Sequence, residues 1–180
     1  MQEDGLGSYH RYLQGDMAAL EQLVAHYSDA LVRYAGCYLH SSAAEDVAED
    51  AFVALILRKK RFQTEQELKA YLFRIAHNKC IDRLRNQWRT APLGEETFIA
   101  DIERTLSENE NRRILYSAMG HIEKGYRDVL LLVYIEGFSA EECAGILKKS
   151  KKQIYNLLAR GKAALKKQLL KEGYSDADLS

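Results

Sequence analysis

Residues 139–166 read SAEECAGILKKSKKQIYNLLARGKAALK, and within them two helix starts lie eleven residues apart. Ser139-Ala-Glu-Glu142 and Ser150-Lys-Lys-Gln153 each set a serine three residues before a glutamate or glutamine. In that spacing the serine hydroxyl and the longer side chain satisfy one another's free backbone donors, which marks a helix N-terminus. Cys143, Ile146 and Leu147 then share one face of a helix about two turns long. Ile154, Leu157, Leu158, Gly161 and Leu165 form the inner side of the second helix. Only about three residues remain for the connection, and two capped helices joined so tightly predict a helix-turn-helix.

With that inner side fixed, Lys151, Lys152, Tyr155, Asn156 and Ala159 point outward near the start of the second helix, with Arg160 beside them. Such positions enter a DNA major groove when a helix of this kind docks. Asn156 has the paired donor and acceptor that match an adenine edge, Tyr155 can reach a base or a phosphate, and Lys151, Lys152 and Arg160 can neutralise phosphates. The plainer reading is an antiparallel helix pair with a solvated lysine face. Four lysines around one turn (Lys148, Lys149, Lys151 and Lys152) favour nucleic acid, because phosphate contacts supply most non-specific affinity.

The rest of the chain is also helical in pattern, with one proline, Pro92, and little β-branched alternation, so an all-α fold is expected. Upstream, Leu20, Leu23, Val24, Tyr27, Leu31, Tyr34, Ala35 and Tyr38 form one stripe, with Asp16 placed to cap a first helix. A second helix is expected to open with a capping box at Ser42-Ala-Ala-Glu45 and to bury Val47, Ala48, Ala51, Phe52 and Leu55. Thr64-Glu-Gln-Glu67 opens a third, carrying Leu68, Leu72, Ile75, Ala76 and Leu84 and ending before Pro92. Three packed helices make the first expected domain. Periodicity resumes with Ile114, Leu115, Ala118 and Met119, and a helix around residues 126–136 buries Val129, Leu132 and Val133 before Gly137 ends it.

The formal charge cancels at 26 basic against 26 acidic side chains, so distribution decides what the charges do. Residues 1–90 hold 12 basic and 12 acidic, 91–111 hold 1 and 6, and 112–180 hold 13 and 8, giving nets of 0, −5 and +5. The expected organisation is two small helical domains, 10–90 and 112–171, joined by a flexible acidic linker at 91–111. Cys37, Cys80 and Cys143 are far apart among apolar helical positions, which argues for buried free thiols. His10, His26, His40 and His121 lack metal-ligand spacing, and neither a metal nor any other cofactor is expected. No apolar run reaches the roughly 18 residues of a membrane span, so a soluble, cytoplasmic chain without membrane insertion is expected. Nothing in the sequence suggests a nucleophile–base pair or a phosphate loop, so neither an enzyme nor a small-molecule substrate is expected.

The run YRDVLLLVYIEGFSAEECAGILKKSKKQIYNLLARGKAAL, residues 126–165, resembles region four of the extracytoplasmic-function sigma factors of the sigma-70 family, whose usual opening is "YREVLLLRY". Upstream, AEDVAEDAF and AYLFRIAHNKCIDRLRNQWR resemble region two, with usual forms "AEDVVQEVF" and "AWLxxIARNxAIDxLRR". The likeness covers roughly residues 10–90 and 112–170. It implies an alternative sigma factor: region two binds core RNA polymerase and melts the minus-ten element, and region four binds the minus thirty-five duplex of promoter DNA. An anti-sigma factor is implied by the resemblance alone.

The residues are compatible with those roles. Glu45, Asp46, Glu49 and Asp50, with Phe52, suit docking on a basic partner helix, and are the expected polymerase contacts. Arg74, His77, Asn78, Lys79, Arg83 and Arg85 form a mainly basic face suited to a separated DNA strand. Tyr71 and Trp88 are candidate stacking platforms, Tyr71 being better read as core. The chain departs from the family forms at His77 (for arginine), Tyr71 (for tryptophan), Ile56 (for the tryptophan of the second helix) and at QIYNLL, residues 153–158, for "TVKSRL". Promoter preference therefore does not carry over from the family. The rival readings are a stand-alone helix-turn-helix regulator acting without polymerase and a protein-binding adaptor without DNA affinity.

Overall fold

The computed structural model describes residues 4–90 and 110–175, apart from the side chains of a few residues inside the helices, Trp88 among them. The expected linker therefore lies outside the described residues except for its last two positions. The described residues are helical, with no strand among them. The chain divides into two units, residues 1–94 and 95–180.

The first unit holds α1 (Gly5–Leu13), α2 (Met17–Gly36), α3 (Ser41–Arg58) and α4 (Glu65–Thr90). Asp16 caps α2 as expected, accepting from the amides of Ala18 and Ala19 at 3.0 and 3.3 Å. Thr64 Oγ1 accepts from the Glu67 amide at 3.2 Å, while Glu67 reaches past Thr64 to accept from the Gln63 amide at 2.8 Å. The expected box at Ser42 does not form. Helix α3 starts at Ser41, and its N-cap, His40, gives it no side-chain capping bond. Val47, Ala48, Ala51, Phe52 and Leu55 pack from α3 against the stripe Leu23, Tyr27, Leu31 and Tyr34 of α2, and Leu68, Leu72, Phe73 and Ala76 of α4 close the core.

Helix α1 adds a fourth member to the three expected here and moves the start of the unit ahead of residue 10. A nine-residue helix is marginal by itself, and Gly7 within it costs about 0.5–1 kcal/mol relative to alanine. Tertiary contacts offset this. Tyr9 is fully buried, a contribution of about 2 kcal/mol, and its hydroxyl donates to the Lys60 carbonyl at 2.9 Å. Burial pushes that phenol up to about 12. Glu65, the first residue of α4, accepts from the amides of Gly5 and Leu6 at 3.2 and 2.6 Å, and so caps α1 from another helix. The same carboxylate accepts from the Tyr27 hydroxyl and lies 3.3 Å from His26 Nε2. Burial first, and the bond to Glu65 second, raise the Tyr27 phenol above its ordinary range, so it stays a donor. Gly5 has to be glycine, because a Cβ there would run into the Tyr27 ring.

The second unit holds α5 (Glu110–Gly120), α6 (Lys124–Leu130), a π-helical turn at Leu131–Ile135, α7 (Ala140–Leu147) and α8 (Lys151–Lys171). The helix expected around residues 126–136 is thus α6 running into a wider turn, in which the Glu136 amide donates to the Leu131 carbonyl at 3.0 Å. Gly137, at φ 75°, ends it in the left-handed conformation as expected. Arg127 donates to the carbonyls of Met119, Gly120 and Ile122 at 3.0, 3.3 and 3.2 Å, tying the end of α5 to α6. All three cysteines are buried, and burial pushes the Cys143 thiol up to about 12.

Glu65 holds three elements with one carboxylate, and charge-assisted hydrogen bonds of this kind contribute about 1.5–3 kcal/mol each when well shielded. Partial exposure of Glu65 reduces that figure. Glu65→Ala is expected to cost the first unit about 2 kcal/mol, seen as a lower denaturant midpoint by circular dichroism. An unchanged midpoint would show that α1 docks without this carboxylate.

Candidate nucleic-acid interface

The turn between α7 and α8 consists of Lys148, Lys149 and Ser150. Ser139 Oγ accepts from the Glu142 amide at 3.2 Å while Glu142 accepts from the Ser139 amide at 2.7 Å. Ser150 Oγ and Gln153 repeat the exchange at 3.2 and 2.8 Å. Both expected capping boxes are therefore present. Between them Lys148 adopts φ 53°, and the Lys149 amide donates back to the Ala144 carbonyl at 3.0 Å, which closes α7 and aims the chain into α8.

Cys143, Ile146, Leu147, Ile154 and Gly161 are buried between the helices of this unit, while Leu157, Leu158 and Leu165 are half-buried. Gly161 lies against α6, where a Cβ would approach Tyr126 Cβ to 3.2 Å and Leu130 Cδ1 to 3.4 Å. This close approach sets which side of α8 faces out. Lys151, Lys152, Tyr155, Asn156, Ala159 and Arg160 are all exposed, Tyr155 at 55%. They form one continuous surface. Lys151 Nζ pairs with Glu141 across the turn at 3.4 Å, whereas Lys152 and Arg160 have no ion pair among the described residues. The surface thus offers two unpaired cations, one amide and one aromatic ring, all on the first three turns of a helix.

In the first unit the structure rearranges the expected sites. Arg74 and Arg85 are exposed, Arg85 lying 3.8 Å from Asp82 on its own helix, and Asn78 is half-buried. His77 is not on that face. It is only 9% exposed, and its Nδ1 lies 3.0 Å from the Tyr34 hydroxyl, which in turn accepts from Tyr38 at 3.1 Å. The reason is spacing: His77 stands one turn beyond Phe73 and one turn before Cys80, both fully buried, so it shares their face. Tyr71 is core as well, 7% exposed, its ring 5.2 Å from that of Phe62, with the Lys60 ammonium 5.3 Å above it.

Two surfaces expected to be separate prove to be joined. Arg83 pairs with Asp46 at 3.2 Å and with Asp50 at 3.4 Å, and Lys79 pairs with the same Asp50 oxygen at 3.4 Å. This network ties α3 to α4. Phe52 is buried, so its part on α3 is to hold the helix rather than to meet a partner. Glu45 and Glu49 remain exposed, together with Val53 at 51% and Leu57 at 76%. Glu49, Val53 and Leu57 are spaced by four residues and line one ridge of α3. Sequence reasoning missed the two apolar members, although the run FVALIL at 52–57 is too continuous for a single buried face. It also passed over Arg58, Lys59, Lys60 and Arg61, four consecutive exposed cations that run from the last residue of α3 toward α4.

The Ser150 hydroxyl is the element of this geometry that fixes where α8 begins. Ser150→Ala is expected to destabilise the second unit by about 1 kcal/mol, measured as a fall in its thermal midpoint, with Ser150→Asp restoring most of the loss. Equal midpoints for all three chains would remove the cap from the account.

Comparison with known proteins places these features. Residues 23–90 match the family model of Sigma-70 region 2, and residues 112–165 match that of Sigma-70, region 4, together about two-thirds of the chain. The chain is 29% identical to the RNA polymerase sigma factor CnrH of Cupriavidus metallidurans over 165 residues, 84% of this chain and 86% of that protein. It is 28% identical to the ECF RNA polymerase sigma factor SigW of Bacillus subtilis over 178 residues, 87% of this chain and 91% of that one. Its structure resembles that of CnrH solved in complex with the cytosolic domain of CnrY, with a TM-score of 0.66 and 27% identity, over 96% of this chain and 100% of that one. No helix among the described residues is long and apolar enough to cross a membrane. Two sigma regions in their proper order, each carrying the motifs read from the sequence, make this chain an extracytoplasmic-function member of the sigma-70 family.

Proposed function

We propose that this sigma factor is a non-enzymatic, cytoplasmic subunit that directs core RNA polymerase to its own set of promoters, using residues 10–90, extended forward to α1, and 112–171 as its two working domains. The exposed surface of α8 carries the reading. Lys152, Tyr155, Asn156 and Arg160 lie where a recognition helix meets base edges and phosphates, with Lys151 and Ala159 completing that face. In the first unit Arg74, Lys79, Arg83 and Arg85 with Asn78 hold the melted strand. Its polymerase contacts are Glu45, Asp46, Glu49 and Asp50, joined by Val53 and Leu57, whose exposure on a ridge flanked by carboxylates suits a partner helix with apolar and basic side chains. The bond-making chemistry belongs to the polymerase. An anti-sigma factor is proposed as the natural antagonist, by analogy with the complex of CnrH with the cytosolic domain of CnrY.

The test is run-off transcription from a promoter library, with core polymerase alone and with this chain added. New promoter-specific transcripts with a shared sequence upstream are expected. A folded chain that binds DNA but adds no transcript would instead indicate a stand-alone regulator.

Within a promoter so identified, Asn156→Ala is expected to change the preference at one base pair of the upstream element by about tenfold, because a bidentate contact to adenine is lost. Lys152→Ala should weaken all sequences alike and reduce the salt dependence of binding by about one unit of slope. Mobility-shift titrations at several salt concentrations separate the two outcomes, and equal affinities for both variants and the parent would remove α8 as the reading surface.

A further inference from the structure

Among the described residues five adopt positive φ, and three of them are glycines: Gly15 at 104°, Gly137 at 75° and Gly173 at 97°. The other two are Lys59 at 44° and Lys148 at 53°. A lysine in this region carries a steric cost between Cβ and the backbone that glycine does not. Lysine also lacks the short polar side chain by which asparagine offsets that cost. Nor does the backbone demand it. The Lys59 amide donates to the Leu55 carbonyl at 3.0 Å and the Lys148 amide to the Ala144 carbonyl, bonds that glycine would make equally well. What lysine adds at these two positions is therefore its side chain alone.

Those side chains have no internal use. Both residues are exposed, and neither has an ion pair, hydrogen bond or ring contact involving its ammonium among the described residues. Their positions correspond. Lys59 ends α3 within the run Arg58–Arg61 that leads into α4, and Lys148 ends α7 within the run Lys148–Lys152 that leads into α8. Strain retained at a site that a glycine would relieve points to a function for the residue that bears it.

We infer that Lys59 and Lys148 each contact a backbone phosphate of promoter DNA, and that each unit keeps a strained turn in order to place a cation at the entrance of its DNA-holding helix. This rests on the functional reading above and adds two contacts to it. The phosphate met by Lys148 belongs to duplex DNA, and the one met by Lys59 to the separated strand. Each contact is sequence-independent, so its loss appears in affinity and salt slope and not in base preference.

The experiment uses the full chain reconstituted with core polymerase and a fluorescent promoter fragment recovered from the run-off selection. Lys148→Gly and Lys59→Gly are expected to raise the thermal midpoint of the free chain by a few degrees and to weaken promoter binding about three- to tenfold. The slope of log affinity against log salt should fall by about 0.9 for the duplex contact and about 0.7 for the single-strand one. Lys148→Arg, which keeps both charge and strain, should leave affinity and midpoint near those of the parent. Glycine variants that bind as tightly as the parent with an unchanged slope would overturn the inference, and so would a midpoint that falls. A parent chain that forms no promoter complex at all would be a different result, overturning the functional reading itself.

Discussion

Every helix in this chain begins with amides that no carbonyl of its own can reach, and the groups that satisfy them decide how the helices are joined. At Ser139 and Ser150 the answer is local, a serine exchanging bonds with the third residue beyond it. Because the two starts are only eleven residues apart, the same local device leaves a three-residue turn and so produces the helix-turn-helix. At α1 the answer is part local and part distant. Asp4 accepts from the Gly7 amide at 2.8 Å, while Glu65, about sixty positions away at the start of α4, accepts from the amides of Gly5 and Leu6.

That difference explains what the sequence discloses and what it hides. Local devices are visible in one dimension: the boxes at Ser139 and Ser150, the Asp16 cap, the stop at Gly137 and the apolar stripes of α2, α3 and α8 all follow from spacing. Helix α1 was hidden although Asp4 gives it a local cap, because glycine weakens its propensity and its other anchors, Tyr9 on the Lys60 carbonyl and Glu65 on its amides, are tertiary. The π turn at Leu131–Ile135 was hidden for a related reason, since a continuous apolar run has no periodicity to betray an extra residue. At Ser42 the motif was present and the cap was not, which shows that a capping box is permitted by sequence but must match where packing starts the helix.

The candidate sites show the same division by chemistry. On α8 outwardness could be read, because Gly161 and Ile154 fix the inner side and little else competes for the polar residues. On α4 polarity was misleading. His77 looks like a surface group beside Arg74 and Lys79, yet its position between Phe73 and Cys80 carries it into the core, where Tyr34 supplies a partner. Buried polar groups are tolerated when they are hydrogen-bonded, so residue type alone could not decide its side. The reverse error hid Val53 and Leu57, which are apolar and exposed.

Charge pairing finally decides which cations are available to a polyanion. The first unit is formally neutral, and two of its cations, Lys79 and Arg83, are already engaged by Asp46 and Asp50. Exposed pairs of this kind contribute at most about 1 kcal/mol, so they orient side chains more than they hold the fold. Phosphate can displace such carboxylates, and docking of a basic partner on α3 would draw the same aspartates away. With the contacts proposed above, polymerase binding and strand binding in the first unit would be linked through a shared ion network. In the second unit Lys152 and Arg160 face no such competition among the described residues. On the proposed sites the two units would meet DNA on different terms: α8 presents its cations ready-made, and α4 presents two of its own in competition with the carboxylates of α3.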